Sequence, residues 1–165
     1  EIEKKYEKNQ KILINKTKKL KNHFSLLPQK PLLIKSNLID NITLFNQKYD
    51  KNLYEKAIYY SCSENIKTIP TSNNIDERNF DLSGGQSQRI SLGRYIYNNK
   101  SNVMLLDEPT SSLDDALSEK LIKRLLKYNE DKILIVVTHN INIKLINNFL
   151  KKENRNSSKI LNFEN

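Results

Sequence analysis

Residues 1–11 are charged and polar with no apolar stripe, a pattern that predicts an exposed helix or an unstructured insert. Two short apolar runs follow, Ile12–Ile14 and Phe24–Leu27, separated by the basic stretch KTKKLKN, which predicts paired strands around a solvated turn, with Pro28 ending the second. From Asn37 to about Ser63 the spacing turns helical, through Leu38, Ile42 and Leu44 and then Leu53, Ala57, Ile58 and Tyr60. A polar stretch, Thr71–Asn79, precedes the most densely patterned part of the chain. There Val103–Leu106 and Ile133–Val137 are β-branched and Leu-rich runs of the kind buried on both faces of a parallel sheet. Between them Leu117, Leu121, Ile122, Leu125 and Leu126 mark an amphipathic helix. Strand, helix, strand implies a right-handed crossover and an α/β sheet, with no repeat or Pro/Gly-rich linker dividing the chain.

Composition narrows the class. A chain of 165 residues, 37% hydrophobic and 28% charged, is sized for one domain or most of one and is neither collagen-like nor disordered. The net charge of +9 comes from lysines scattered among asparagines, as in Lys16–Asn22 and Lys151–Lys159, without a nucleic-acid-binding motif. Such charge reads as solvated surface, and no nucleic-acid partner is expected. Cys62 is the single cysteine, so no intrachain disulfide can form, in keeping with a reducing setting. No apolar run reaches the roughly 20 residues of a membrane-spanning helix. Membrane association would have to come through a partner or another part of the chain.

Three segments carry candidate chemistry. Leu82-Ser83-Gly84-Gly85-Gln86 opens a helix expected to run through Gln88, Arg89, Leu92 and Tyr95. A Ser-Gly-Gly turn at a helix N-terminus presents backbone N–H groups and the positive dipole end, which suits phosphate, although an ordinary Ser-capped turn has the same form. Val103–Leu106 ends in Asp107-Glu108-Pro109-Thr110. Adjacent carboxylates beyond the carboxyl end of a parallel strand suit Mg²⁺ at Asp107 and a reacting water at Glu108, or are merely solvated. His139, following Ile133–Thr138, is placed to donate to a phosphate at the same edge or to serve as a structural hydrogen-bonder.

In this order LSGGQSQR, VMLLDEPTSSLD and ILIVVTH resemble the ATP-binding cassette (ABC) ATPases, and the resemblance covers residues 12 to about 145. Phe24–Gln29 resembles the family's Q-loop strand, and residues 30–81 occupy the place of its helical subdomain. Residues 82–150 would then form the signature, Walker B, D-loop and H-loop core, and 151–165 a tail. The family implies a P-loop NTPase-type parallel sheet with an inserted helical subdomain. It also implies a head-to-tail pair of ATPase domains sandwiching two ATP molecules, and attachment to transmembrane domains at the cytoplasmic face of a membrane. By that resemblance Ser83, Gly84, Gly85 and Gln86 meet nucleotide, Ser83 and Gly85 on the γ-phosphate of the partner's ATP. Gln29 senses Mg²⁺ and the attacking water. Asp107 holds Mg²⁺ through water, Glu108 acts as general base, His139 steadies the γ-phosphate, and Asp114 connects the two sites. Arg89 is expected to support its helix by surface pairing.

The chain departs from the family pattern at the phosphate cradle, GxxxxGK[ST]. Its glycines, Gly84, Gly85 and Gly93, do not supply one. The sequence is therefore expected to be the C-terminal, larger part of such a domain, with the missing part before Glu1, and alone neither to bind ATP tightly nor to turn it over. Gly93 stands where the family usually has Ala, at a cost of up to about 1 kcal/mol in a helix interior. The wording DEPTSSLD resembles transporters rather than ribosome-acting members. The lack of sustained heptads argues against chromosome ATPases. LLPQKPLLIKSNLIDNITL, with Ile75 and Glu77, resembles exporters, although Asp76 and Asn79 replace two family glycines. A non-transporting remnant and a soluble ABC ATPase are the alternative readings.

Overall fold

The computed structural model describes residues 23–66 and 82–139, together with helical residues 147, 148, 150 and 151. The expected strand at Ile12–Ile14, the loop at Thr71–Asn79 and the tail from residue 152 lie outside the described residues. The elements run β1 (Phe24–Leu27), α1 (Leu38–Thr43), α2 (Lys51–Tyr60), α3 (Gly84–Asn98), β2 (Val103–Asp107), α4 (Asp115–Tyr128) and β3 (Ile133–Val137). All three strands are parallel, in the order β1-β2-β3. β1 ends at Leu27, where proline offers no N–H to continue the ladder.

Each helix starts at a side-chain cap, which is why polar residues break the apolar pattern where they do. Asn37, Asp50, Ser83 and Asp114 accept from the backbone N–H groups of Asp40, Leu53, Gln86 and Leu117. Leu44, expected on a helical face, instead closes α1 in the left-handed conformation (φ 55°) and is exposed. Inward residues Leu27, Met104 and Leu106 of the sheet pack with Ile42, Ala57, Leu92, Ile96, Leu121, Ile122 and Leu125 in one core.

Burial of the strands on both faces is not observed among the described residues. Phe24, Leu26, Ile133, Ile135 and Val137 on the other face are exposed. The described helices contribute to a core on one face only, and strict alternation of side chains leaves the other half outward.

α3 is the centrepiece, because α1 and α2 both pack on it. Gly93 sits at that crossing, where a Cβ would lie 3.1 Å from Ser61 Oγ and 3.3 Å from Ile42 Cδ1, so its absence of side chain serves close approach. The buried Asn41 ties the same junction. Its amide donates to the carbonyls of Ile34, Ser36 and Asn37, and its Oδ1 accepts from Ile34 N–H and, at 2.8 Å, from Arg94. Arg94 also donates to the carbonyls of Asn41 and Leu32.

Candidate functional site

Register assembles the site. Leu27 pairs with Leu106 and Leu106 with Val136, while Asp107 pairs with Val137. Gln29, Asp107, Glu108 and His139 therefore lie at or just beyond the carboxyl ends of three adjacent parallel strands, the edge where open α/β sheets take ligands. His139 Nδ1 lies 2.6 Å from Glu108 Oε1. The Glu108 side chain is largely buried and that of His139 mostly exposed. Gln29 is exposed.

Glu108 has φ 49°. The left-handed region costs a non-glycine residue about 1–2 kcal/mol, and such residues cluster where function requires them. Three backbone contacts hold it there. Its N–H donates to the Val137 carbonyl (2.8 Å), and its own carbonyl accepts from the Ser111 N–H (3.3 Å) and from Gln88 Nε2 (2.5 Å). The turn re-aims the carboxylate as the chain leaves β2. Pro109 and Thr110, both buried, anchor the chain directly beyond it.

The N-terminus of α3 carries a capping box. Ser83 Oγ accepts from Gln86 N–H (3.2 Å) while Gln86 Oε1 accepts from Ser83 N–H (2.9 Å). Ser83 and Gly84 face solvent, leaving the hydroxyl proton and the early N–H groups of α3 at the positive end of its dipole. Gly85 is buried against the Ser112 backbone. Among the described residues no hydrogen bond joins Ser83–Gln86 to Asp107, Glu108 or His139. Gln88, further along α3, links the two groups through the Glu108 carbonyl.

Two residues do structural work the sequence left open. Asp114 caps α4 by accepting from Leu117 N–H at 2.8 Å. Arg89, expected to pair at the surface, instead donates to the carbonyls of Gly85 and Cys62 and is half-buried. Its planar fork of donors reaches the Cys62 carbonyl just beyond α2 as well as the Gly85 carbonyl in its own helix, which removes it from surface pairing. Gln88 and Ser111 were missed as contributors to the turn. Their sequence signal is membership of the two motifs, LSGGQSQR and VMLLDEPTSSLD.

ATP with Mg²⁺ is the group implied by the resemblance. Glu108 Oε2 is buried without a hydrogen-bond partner, an unsatisfied acceptor at the site. Among the described residues no cluster of three or more metal-ligating side chains occurs. That donor set fits a cation held through water and phosphate oxygens better than a protein cage.

A parallel sheet with carboxylates and a histidine at its carboxyl edge, beside a Ser-Gly-Gly helix start, defines a P-loop NTPase-type core. The ABC transporter family model matches residues 2–111, and the chain belongs to that family. It is 34% identical over 122 residues to the multidrug resistance protein mrp-7 of Caenorhabditis elegans, covering 70% of this chain and 8% of that protein. It is 32% identical over 132 residues to the lactococcin-G-processing and transport ATP-binding protein LagD of Lactococcus lactis subsp. lactis, covering 76% of this chain and 18% of that protein. The structure of a bacterial Atm1-family ABC exporter with ATP bound superposes with a TM-score of 0.61 over 77% of this chain and 22% of that one, at 18% identity, which bears on the fold. The chain thus spans less than a fifth of the length of these curated relatives. No helix among the described residues is long and apolar enough to cross a membrane.

Proposed function

We propose that this chain is part of an exporter-type ABC ATPase that couples ATP binding and hydrolysis to movement of a substrate across a membrane. The observation that carries the reading is the Glu108–His139 pair at the sheet edge, with Glu108 Oε2 buried and unpartnered. A carboxylate held by its backbone, hydrogen-bonded to a histidine and left with one unsatisfied oxygen could take a proton from a water admitted to the site.

The residues divide the work. Asp107 would hold hydrated Mg²⁺, and Gln29, beyond the end of β1, would contact the cation and the water. His139, mostly exposed, would donate to the terminal phosphate while its other nitrogen faces Glu108. Ser83, Gly84, Gly85 and Gln86 would present a hydroxyl and N–H groups to the phosphate of an ATP held by a second ATPase domain. The two domains would pair head to tail. Asp114, at the start of α4, would transmit between the two sites. Bound Mg²⁺ would supply neutralisation of phosphate charge. A GxxxxGK[ST] cradle, absent from these 165 residues, is needed for tight binding. Isolated residues 1–165 are therefore inactive in this reading. Transmembrane domains would carry the substrate and place this domain at the cytoplasmic face.

Ser83→Arg in the assembled transporter tests the shared site. ATP hydrolysis should be lost while ATP still binds, because the arginine fills the signature face and leaves the cradle untouched. A Ser83→Arg protein that hydrolyses ATP at the normal rate rejects the arrangement.

A further inference from the structure

Gln88 lies inside α3, 5% exposed, and its Nε2 donates at 2.5 Å to the carbonyl of Glu108, with Ser111 Oγ at 3.3 Å. Its Oε1 is buried without a hydrogen-bond partner. A buried amide with one end unsatisfied destabilises a fold, and an apolar side chain of the same length would avoid that cost. Packing alone therefore does not explain a glutamine here. The donor end, in contrast, meets the carbonyl of the residue that occupies the left-handed region, φ 49°.

We propose that Gln88 is a positioning residue for the reaction: its amide pins the Glu108 peptide and so aims the Glu108 carboxylate. This rests on the ATPase reading above. Its consequence is a direct connection inside one chain. The helix whose N-terminal Ser83 meets one nucleotide is hydrogen-bonded, from its second turn, to the backbone of the carboxylate that serves the other. A shift of α3 on engaging phosphate would be felt at the Glu108 peptide by a route separate from Asp114, at the start of α4.

The test compares the assembled transporter with its Gln88→Met and Gln88→Glu variants, the second keeping the shape of glutamine while removing the donor. Turnover, KM for MgATP and thermal midpoint are measured for each, with Glu108→Gln as control. Loss of aim without loss of binding predicts kcat lower by about tenfold, KM within about twofold of normal, and an unchanged or raised midpoint for Gln88→Met. A folded variant of either kind with normal kcat, or a kcat that falls only in step with the folded fraction, overturns the proposal. Normal hydrolysis by Glu108→Gln would instead overturn the ATPase assignment beneath it.

Discussion

A Cβ on Gly85 would stand 2.5 Å from the Ser112 carbonyl oxygen and 2.8 Å from a Leu113 methyl carbon. The second signature glycine is therefore required by packing within its own chain, whatever it also does for a phosphate. Gly85→Ala is expected to cost about 1–3 kcal/mol, the usual penalty of overpacking against backbone. At Gly84 the nearest atom to a Cβ is the exposed Ser112 side-chain oxygen at 3.3 Å, which can move aside. Gly84→Ala should stay within about 1 kcal/mol of the parent, helped by alanine's helix propensity. Denaturant unfolding of the two variants reads the difference.

Acid should loosen the junction between α2 and α4. Arg124 Nη1 lies 2.6 Å from Glu64 Oε1 and donates to the Tyr59 carbonyl, while the guanidinium carbon sits 3.9 Å from the Tyr59 ring centre. Burial pushes the Glu64 carboxyl up, but the backbone hydrogen bond and Arg124 outweigh it and leave the group below its ordinary 4.5. A depressed carboxylate stabilises the fold fully above its unfolded value. That contribution is lost as pH falls through the lower folded value. The thermal midpoint should therefore drop on acidification below 4.5, and Glu64→Gln should make that drop shallower. Equal slopes for parent and variant would refute the assignment.

Cys62 is buried at the end of α2, in the left-handed region with φ 55°. Burial pushes its thiol up, with Arg124 pulling the other way. Because the thiolate is the reactive species, the native thiol should react with a disulfide reagent at least about tenfold more slowly than in denaturant. Comparable rates would place Cys62 at the surface.

Helices and strands were readable where spacing and caps agree. Val103–Leu106, Ile133–Val137 and the Leu117–Leu126 stripe all form the elements their patterns predict, because short unbroken apolar runs suit strands and a 3.6-residue stripe suits a helix. Leu44 misled because an apolar residue at helical spacing can also close a helix in the left-handed conformation. The candidate site was legible as motifs, and the parallel register explains why residues so distant in sequence share one edge. What the sequence could not show is side-chain to backbone bonding. Gln88 to the Glu108 carbonyl, Arg89 to Cys62 and Arg94 to Leu32 join partners 20, 27 and 62 residues apart. A carbonyl acceptor carries no residue identity, so no pattern announces it. The exposed half of the sheet was likewise invisible, since Ile133, Ile135 and Val137 look the same whether covered or not.

The most direct measurement is ATP hydrolysis by the assembled transporter carrying Glu108→Gln, with nucleotide binding followed in parallel. The substitution keeps the shape and removes the base, so turnover should fall by about 10²–10⁴-fold while ATP remains bound. Hydrolysis at the parental rate would contradict the placement of the reaction at Glu108.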